Sequence, residues 1–156
     1  MGIADKMKSL IKENAVLILF TGIILPIITF MIEKAFFPEV IDHIVRRLPL
    51  NINDLLPTII HLVVGTFIEE LIYRQILQYI IAKFAKAPIA IVISSVLFAL
   101  MHRSPGSLKI ISIDLSGIFV DSILYGVIFN RSNILFSWTA HCMSDLTALF
   151  ILRNFL

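Results

Sequence analysis

The chain has 156 residues, of which 58% are apolar and only 15% are charged, and its mean hydropathy is +0.95. Soluble domains carry about 25% charged residues, and one this small could not bury so much apolar surface in a single core. The composition therefore excludes an ordinary soluble domain and predicts a membrane protein. A net charge of +2 gives no support for nucleic-acid binding, and the single cysteine, Cys142, excludes an intrachain disulfide.

Turn and charge signals divide the chain into five apolar segments. The first is interpreted as an uncleaved span, because it is too long for the core of a signal peptide, and Pro26 is predicted to kink it. Helices satisfy backbone groups in hydrocarbon, and no segment alternates as barrel strands do. The sequence predicts an all-α polytopic membrane helix bundle with about five transmembrane helices. The predicted segments are 15–32, 55–83, 88–102, 109–129 and 133–152.

Residues 38–49, between the first two spans, have a different pattern. Their charged residues fall on the helix side opposite to the apolar ones, which are Val40, Ile41, Ile44, Val45 and Leu48. This pattern is typical of an interfacial amphipathic helix, and it fits an amphipathic connector packed on the bundle equally well. We predict a single membrane domain, 1–156, with an N-terminal part at 1–54 and a core at 55–152. The lysines and arginines of the loops divide six against six, so they leave the orientation open.

Three charged residues, Glu69, Glu70 and Arg74, interrupt the second predicted span. A charge at the centre of a bilayer costs about 2.5–3.5 kcal/mol on insertion scales unless it is paired or hydrated. The three charges therefore indicate a functional site inside the membrane. Glu70 and Arg74 are four residues apart and share a helix face, so they can form an ion pair, whereas Glu69 points about 100° away. We interpret that pair as structural support and Glu69 as a candidate general base.

Short turns bring further polar residues to the level of this acidic pair. The turn at 84–87 makes the second and third segments a hairpin, so the acidic pair and His102 all lie about 23–25 Å along their helices from it. The next hairpin turns at 130–133, and from it His141 lies about 14 Å and Asp145 about 20 Å away. The spacing therefore predicts that these residues converge in one slab about 10 Å thick.

The other polar residues of the spans are given packing or structural parts. Asp121 falls in the same slab and could pair with a histidine or bind water, whereas Asp114 lies outside it and has no predicted role. His43 is interpreted as an interfacial or packing residue. Four serines are predicted to act as small residues that let helices approach closely, namely Ser94, Ser95, Ser116 and Ser122.

One glutamate and two histidines at one depth allow three kinds of chemistry. They could hold a zinc ion, activate a water molecule directly, or pass protons or a substrate through the membrane. The sequence contains neither the His-Glu-x-x-His helix of zinc proteases nor the Gly-x-Ser-x-Gly elbow of serine hydrolases. Cys142 is interpreted as a core thiol rather than a nucleophile, because its neighbour His141 points about 100° away on a helix. The residue pattern alone leaves the three alternatives open.

The polar residues form three short motifs in separate apolar segments: Glu69-Glu70-x-x-x-Arg74, Phe98-x-x-x-His102 and His141-x-x-x-Asp145. In order and spacing they resemble the signature of the CAAX protease and bacteriocin-processing family, also called Abi, which includes the type II CAAX prenyl endopeptidases. Residues 125–135 also look like the glycine-containing hairpin of that family. The resemblance covers about 55–152.

The resemblance implies an intramembrane endopeptidase of the glutamate type that works without a metal or other cofactor. Carried over by position, Glu69 would activate the attacking water and His102 would help to hold it. Glu70 and Arg74 would support the site.

The third motif departs from the pattern of the prenyl endopeptidases. The resemblance implies that His141 and Asp145 stabilise the oxyanion, but the prenyl enzymes typically have Asn where this chain has Asp145. An ionised Asp cannot donate a hydrogen bond to an oxyanion, whereas Asn can. Either Asp145 is protonated, or it orients His141, or the chemistry differs from that of the prenyl enzymes.

The expected partners are the lipid bilayer and a substrate that is a peptide or a prenylated or otherwise lipid-modified protein. We expect an integral protein of a prokaryotic cell membrane. A competing interpretation from another class is a non-proteolytic immunity or scaffold protein that binds a peptide or a membrane partner. A proton-coupled transporter would be expected to have symmetry-related halves, and the sequence shows no such repeat.

Overall fold

The structure, a computed structural model, describes residues 12–47 and 54–155. These residues form six helices and no strand: α1 Lys12–Phe36, α2 Pro38–Arg47, α3 Leu55–Ile81, α4 Ala87–Met101, α5 Leu108–Arg131 and α6 Ile134–Phe155. Helices α1, α3, α5 and α6 are each long and apolar enough to cross a membrane. The prediction of an all-α membrane helix bundle is confirmed.

Helix α4 is shorter than a full span. Its 15 residues extend about 22 Å, against a hydrocarbon core of about 30 Å. It begins with Pro88 in its first turn, where the missing N–H is harmless. It stops at His102 because Pro105 disfavours helical geometry at the residue before it. Helix α4 packs along α5 and against the second half of α3.

Helix α1 approaches α6 closely at Gly22. A Cβ atom there would lie 2.7 Å from the Cβ of Met143, so a larger residue would push the helices apart. Residues Phe20–Ile24 are π-helical and end two residues before Pro26, which has no N–H to bond to the carbonyl of Gly22. The hydroxyl of Thr147 in α6 donates to this carbonyl at 2.8 Å. The proline that was predicted to kink the helix thus lies next to an irregular turn that α6 stabilises.

Helix α3 changes its hydrogen-bonding pattern directly after the acidic pair. It is α-helical over Leu55–Glu70 and π-helical over Leu71–Gln78. Such π segments are rare in proteins overall, and those that do occur are often found at functional sites. The regular α-helical spacing that was assumed from the sequence therefore applies up to Glu70 and does not apply over Leu71–Gln78.

Many of the side chains that are buried between the helices are small or polar. Ser94, Ser95 and Ser122 are fully buried, as predicted for small residues that let helices approach. Ser116 was wrongly placed in this group, because it is exposed and its hydroxyl donates to the Ser112 carbonyl of its own helix. Large apolar side chains instead cover the outside of the bundle, as expected for a surface in contact with lipid.

Helix α2 packs on the bundle against α1 and α5. Val40 and Ile41 on its apolar face are buried, so the predicted amphipathic pattern corresponds to an observed packed face. Whether α2 also lies in the membrane interface stays a prediction. The end predicted for this segment at Leu48 and Pro49 lies outside the described residues, as do the basic N-terminal positions 6 and 8.

Candidate active site

Glu69 lies between two histidines from different helices. Its Oε1 atom is 3.8 Å from Nε2 of His102 in the turn after α4, and its Oε2 atom is 3.7 Å from Nε2 of His141 in α6. These distances exceed the range of an N–H···O hydrogen bond, so the polar atoms face a shared space instead of bonding directly. The Glu69 side chain is 35% exposed, which leaves that space accessible. The structure thus brings together Glu69, His102 and His141, which the residue spacing from the hairpin turns had predicted to lie in one slab.

Glu70 is fully buried and points into the bundle. Its Oε2 atom accepts a hydrogen bond from the hydroxyl of Ser137, and its Oε1 atom lies 3.0 Å from Nδ1 of His141. An ionised carboxylate only accepts hydrogen bonds, so Nδ1 of His141 carries a proton. Glu70 therefore fixes the orientation of the His141 ring, in addition to pairing with Arg74.

Arg74 forms the ion pair that its four-residue spacing from Glu70 predicted, with Nε 3.6 Å from Oε2. Its terminal nitrogens donate to the hydroxyls of Ser94 at 3.2 Å and Ser122 at 2.6 Å. The guanidinium group also lies over the ring of Phe98, 5.5 Å from the centroid. Arg74 thus links α3 to α4 and α5 underneath the accessible carboxylate.

Gly126 makes room for this buried network. Its carbonyl accepts a hydrogen bond of 3.0 Å from Nε2 of Gln78, which lies four residues after Arg74. A Cβ at Gly126 would lie 2.8 Å from Oε1 of Gln78 and 3.0 Å from Cγ2 of Ile91. Packing therefore favours glycine here, within the segment that resembles the glycine-containing hairpin of the family.

His102 is the residue directly after the last turn of α4. Its Nδ1 atom lies 2.9 Å from the backbone carbonyl of Phe98, and a carbonyl can only accept. Nδ1 is therefore the protonated nitrogen, and in the neutral ring Nε2 carries a lone pair that faces Glu69. Such a nitrogen can accept a hydrogen bond from a water molecule.

Aromatic rings hold the two histidines from the side. Tyr125 stacks on His141 with centroids 4.4 Å apart, and Phe98 contacts the rings of both His102 and His141. Sequence reasoning missed Tyr125 and Ser137 and assigned Phe98 no active part. Ser137 had a usable signal, because it lies four residues before His141 and so shares its helix face. No comparable pattern pointed to Tyr125.

The remaining acidic residues differ in their relation to His141. Oδ1 of Asp145 lies 3.9 Å from Nε2 of His141, which is longer than the contact of Glu70 on the other nitrogen. Hydrogen-bond geometry therefore favours Glu70 over Asp145 as the residue that orients the ring. Asp121, which the sequence allowed as a partner of His141, forms no ion pair within 4 Å among the described residues.

Metal-binding geometry was one of the alternatives left open by the sequence. Across residues 12–47 and 54–155, no group of three or more histidine, cysteine, aspartate or glutamate side chains is arranged to hold a metal ion. The expectation of metal-free chemistry stays a prediction.

Four helices of spanning length and a bundle covered by apolar side chains define an integral membrane protein. The family model of the type II CAAX prenyl endopeptidase Rce1-like proteins matches residues 51–147, well over half of the chain. The chain belongs to this family, which confirms the resemblance carried by the three motifs. Membership makes it a CAAX-type intramembrane protease and hence a hydrolase. No curated protein and no solved structure matches the chain.

Proposed function

We propose that this chain is an intramembrane endopeptidase in which Glu69 activates a water molecule to hydrolyse a peptide bond. The observation that carries the proposal is that each carboxylate oxygen of Glu69 lies within 4 Å of Nε2 of a different histidine. A water molecule in the shared space would contact the base and a ring nitrogen at once. The partial exposure of Glu69 supports access of a substrate to that water.

Glu69 and His102 divide the handling of the water between them. Glu69 takes one proton as the water oxygen attacks the carbonyl carbon of the scissile peptide bond. Nε2 of His102 accepts the second hydrogen bond of the water, which orients the oxygen lone pair toward the substrate. The protonated Glu69 then gives its proton to the leaving amine as the C–N bond breaks. Both products are released, and the carboxylate returns to its starting state.

His141 is proposed to stabilise the oxyanion that forms on the attacked carbonyl. A ring with protons on both nitrogens can donate from Nε2, while Nδ1–H stays bonded to Glu70. The carboxylates of Glu70, Glu69 and Asp145, which lie 3.0, 3.7 and 3.9 Å from its ring nitrogens, compensate the positive charge of such a ring. In this arrangement Asp145 is a counter-ion of His141 and not the hydrogen-bond donor. A counter-ion must be charged, which accounts for an aspartate at position 145, where the prenyl enzymes typically have an asparagine.

Glu70 and Arg74 are proposed to support the site without contacting substrate. Their ion pair balances charge in the bundle, and the hydroxyls of Ser94, Ser122 and Ser137 form hydrogen bonds with it. Glu70 also forms a hydrogen bond with His141. A substitution that moves the Glu70–Arg74 pair would therefore also move His141, the proposed oxyanion donor.

The substrate is proposed to be a membrane-associated or lipid-modified peptide. The name of the family supports prenylated proteins as one such class. The site lies among membrane-spanning helices, which favours a peptide that reaches it from the bilayer. We propose a prokaryotic cell membrane as the location, and a single membrane domain with an N-terminal part at 1–54 and a core at 55–152.

The test compares wild type with Glu69→Gln in proteoliposomes. Mass spectrometry would follow a farnesylated peptide ending in Cys-aliphatic-aliphatic-X and peptides extracted from the source membrane. Glu39→Gln is the matched control, because it makes the same chemical change at an exposed carboxylate of α2. Wild type and the control are expected to release peptides that Glu69→Gln does not. Equal release by all three proteins would overturn the proposal, and a cellular phenotype that survives Glu69→Gln would favour the scaffold interpretation.

A further inference from the structure

The last turn of α2 contacts the turn between α4 and α5. Nη1 of Arg47 donates to the carboxylate of Asp114 in α5 and also lies 3.3 Å from the backbone carbonyl of His102. Asp114 is almost completely buried, with 3% of its side chain exposed. One guanidinium group thus connects α2, α5 and the backbone of a proposed catalytic residue.

His43 strengthens this connection from one helical turn earlier. Its Nε2 atom is 2.8 Å from the hydroxyl of Ser104 and 3.6 Å from Oδ2 of Asp114. Gly106 lets the ring approach the turn, because a Cβ there would lie 3.0 Å from Cε1 of His43. We call Arg47, His43, Asp114 and Ser104 the α2 clamp.

The clamp acts where His102 has the least support from its own helix. His102 follows the last helical residue of α4, and the carbonyls at a helix end have no partner within the helix. Arg47 supplies the partner for the His102 carbonyl, while the ring is held by its bond to the carbonyl of Phe98. These two contacts, together with the packing of Phe98 on the ring, help to set where Nε2 lies relative to Glu69.

We propose that Arg47 is a positioning residue for His102, which makes α2 a working part of the active site. Nothing in the three motifs points to α2, and the family match begins after it, at residue 51. The inference rests on the proposed function in one respect, since it takes His102 to hold the attacking water.

The kinetic test compares Arg47→Gln with Arg46→Gln, its exposed neighbour on the same helix. A small misplacement of a reacting group lowers rates by up to about 100-fold, so Arg47→Gln is expected to lower kcat by about 10- to 100-fold with little change in KM. Arg46→Gln is expected to match wild type. Arg47→Lys keeps a charge beside Asp114, but Nη1 of Arg47 contacts both acceptors from a rigid planar group, whereas an ammonium group lies on a flexible stem and is not held in that position. It is expected to give an intermediate kcat, and it serves as the test variant should Arg47→Gln fail to fold.

A second readout does not depend on activity. In protein with ¹⁵N-labelled histidines in nanodiscs, wild type is expected to show His102 with its proton on Nδ1. Arg47→Gln, or Arg47→Lys in its place, is expected to shift the ring signals of His102 and His43 and to leave those of His61 unchanged. Wild-type kcat together with unchanged His102 signals in these variants would overturn the proposal.

The two proposals fail in distinguishable ways. If Glu69→Gln and His102→Ala keep wild-type activity, the proposed function fails, whatever the signals of His102 show. If both variants lose activity while Arg47→Gln behaves like Arg46→Gln, the proposed function stands and the role of Arg47 is refuted.

Discussion

Replacing Glu70 with glutamine removes one buried negative charge and keeps the shape of the side chain. The glutamine oxygen can still accept one hydrogen bond, from Ser137 or from His141, but it cannot neutralise Arg74. The hydroxyl partners of Arg74 carry no charge, and Glu70 is the carboxylate that lies within 4 Å of it in the described structure. The variant therefore isolates the contribution of charge balance beneath the active site.

The expected loss of stability follows from the pair distance. At an effective dielectric constant of about 20, unit charges 3.6 Å apart attract by about 4–5 kcal/mol. Removing one partner of a buried ion pair costs about 3–5 kcal/mol, because the other charge stays buried without compensation. Against a typical free energy of unfolding of about 5–15 kcal/mol, Glu70→Gln should destabilise the protein severely and still leave a measurable folded fraction.

Reversible unfolding in mixed micelles measures this loss. Ser137→Ala is the matched control, since it removes one hydrogen bond to the same carboxylate and should cost about 1.5–3 kcal/mol. The double variant Glu70→Gln/Arg74→Gln removes both charges and should be more stable than the sum of the two single losses predicts. If Glu70→Gln costs no more than Ser137→Ala, or if the two single losses add, the ion pair does not have the supporting part assigned to it.

Three further predictions address the counter-ion, the metal and the helix contact. Asp145→Asn should keep activity within about tenfold of wild type, because an amide can donate to the oxyanion where an ionised carboxylate cannot. Purified enzyme should contain no stoichiometric zinc, and a chelator should leave the peptidase rate unchanged. Gly22→Ala should cost about 1–3 kcal/mol of stability, because its Cβ would lie 2.7 Å from that of Met143. Gly117→Ala is the control for this last change, because among the described residues no atom outside the neighbouring backbone of its own helix lies within 4 Å of the Cβ it adds.

Each of these predictions has an outcome that contradicts it. A loss in Asp145→Asn as large as that in Glu69→Gln would give Asp145 a direct part in proton transfer. Activity that a chelator abolishes and zinc restores would overturn the metal-free mechanism. Equal stability of the Gly22 and Gly117 variants would mean that α1 moves away from α6 without cost.

Most of the architecture could be predicted because the bilayer imposes simple rules on sequence. Charges and prolines mark the ends of apolar segments, so the predicted 88–102 corresponds to the observed Ala87–Met101. The turns that precede α4 and α6 are short, so counting residues from them placed His102 and His141 near the level of Glu69. The observed contacts of 3.8 and 3.7 Å agree with that count.

The details that sequence could not provide depend on how helices rotate against each other. Spacing within one helix drew attention to Asp145 as a partner of His141, but the shorter contact comes from Glu70 on another helix. The π segment Leu71–Gln78 was equally hidden, because the residue types of a helix do not distinguish α-helical from π-helical hydrogen bonding. Asp114 was left without a role for a related reason. Its partner Arg47 lies on α2, and the amphipathic pattern of α2 gives its faces but not its position on the bundle.

The rate of peptide hydrolysis by purified Glu69→Gln tests the central claim most directly. With a peptide that wild type cleaves in proteoliposomes, the account predicts a fall in kcat of about 10²–10⁴-fold, the usual contribution of a general base. The variant should keep the unfolding transition of wild type, because Glu69 forms no direct hydrogen bond with any residue of 12–47 or 54–155. A folded Glu69→Gln enzyme that cleaves the peptide at the wild-type rate would contradict the claim that Glu69 activates the water.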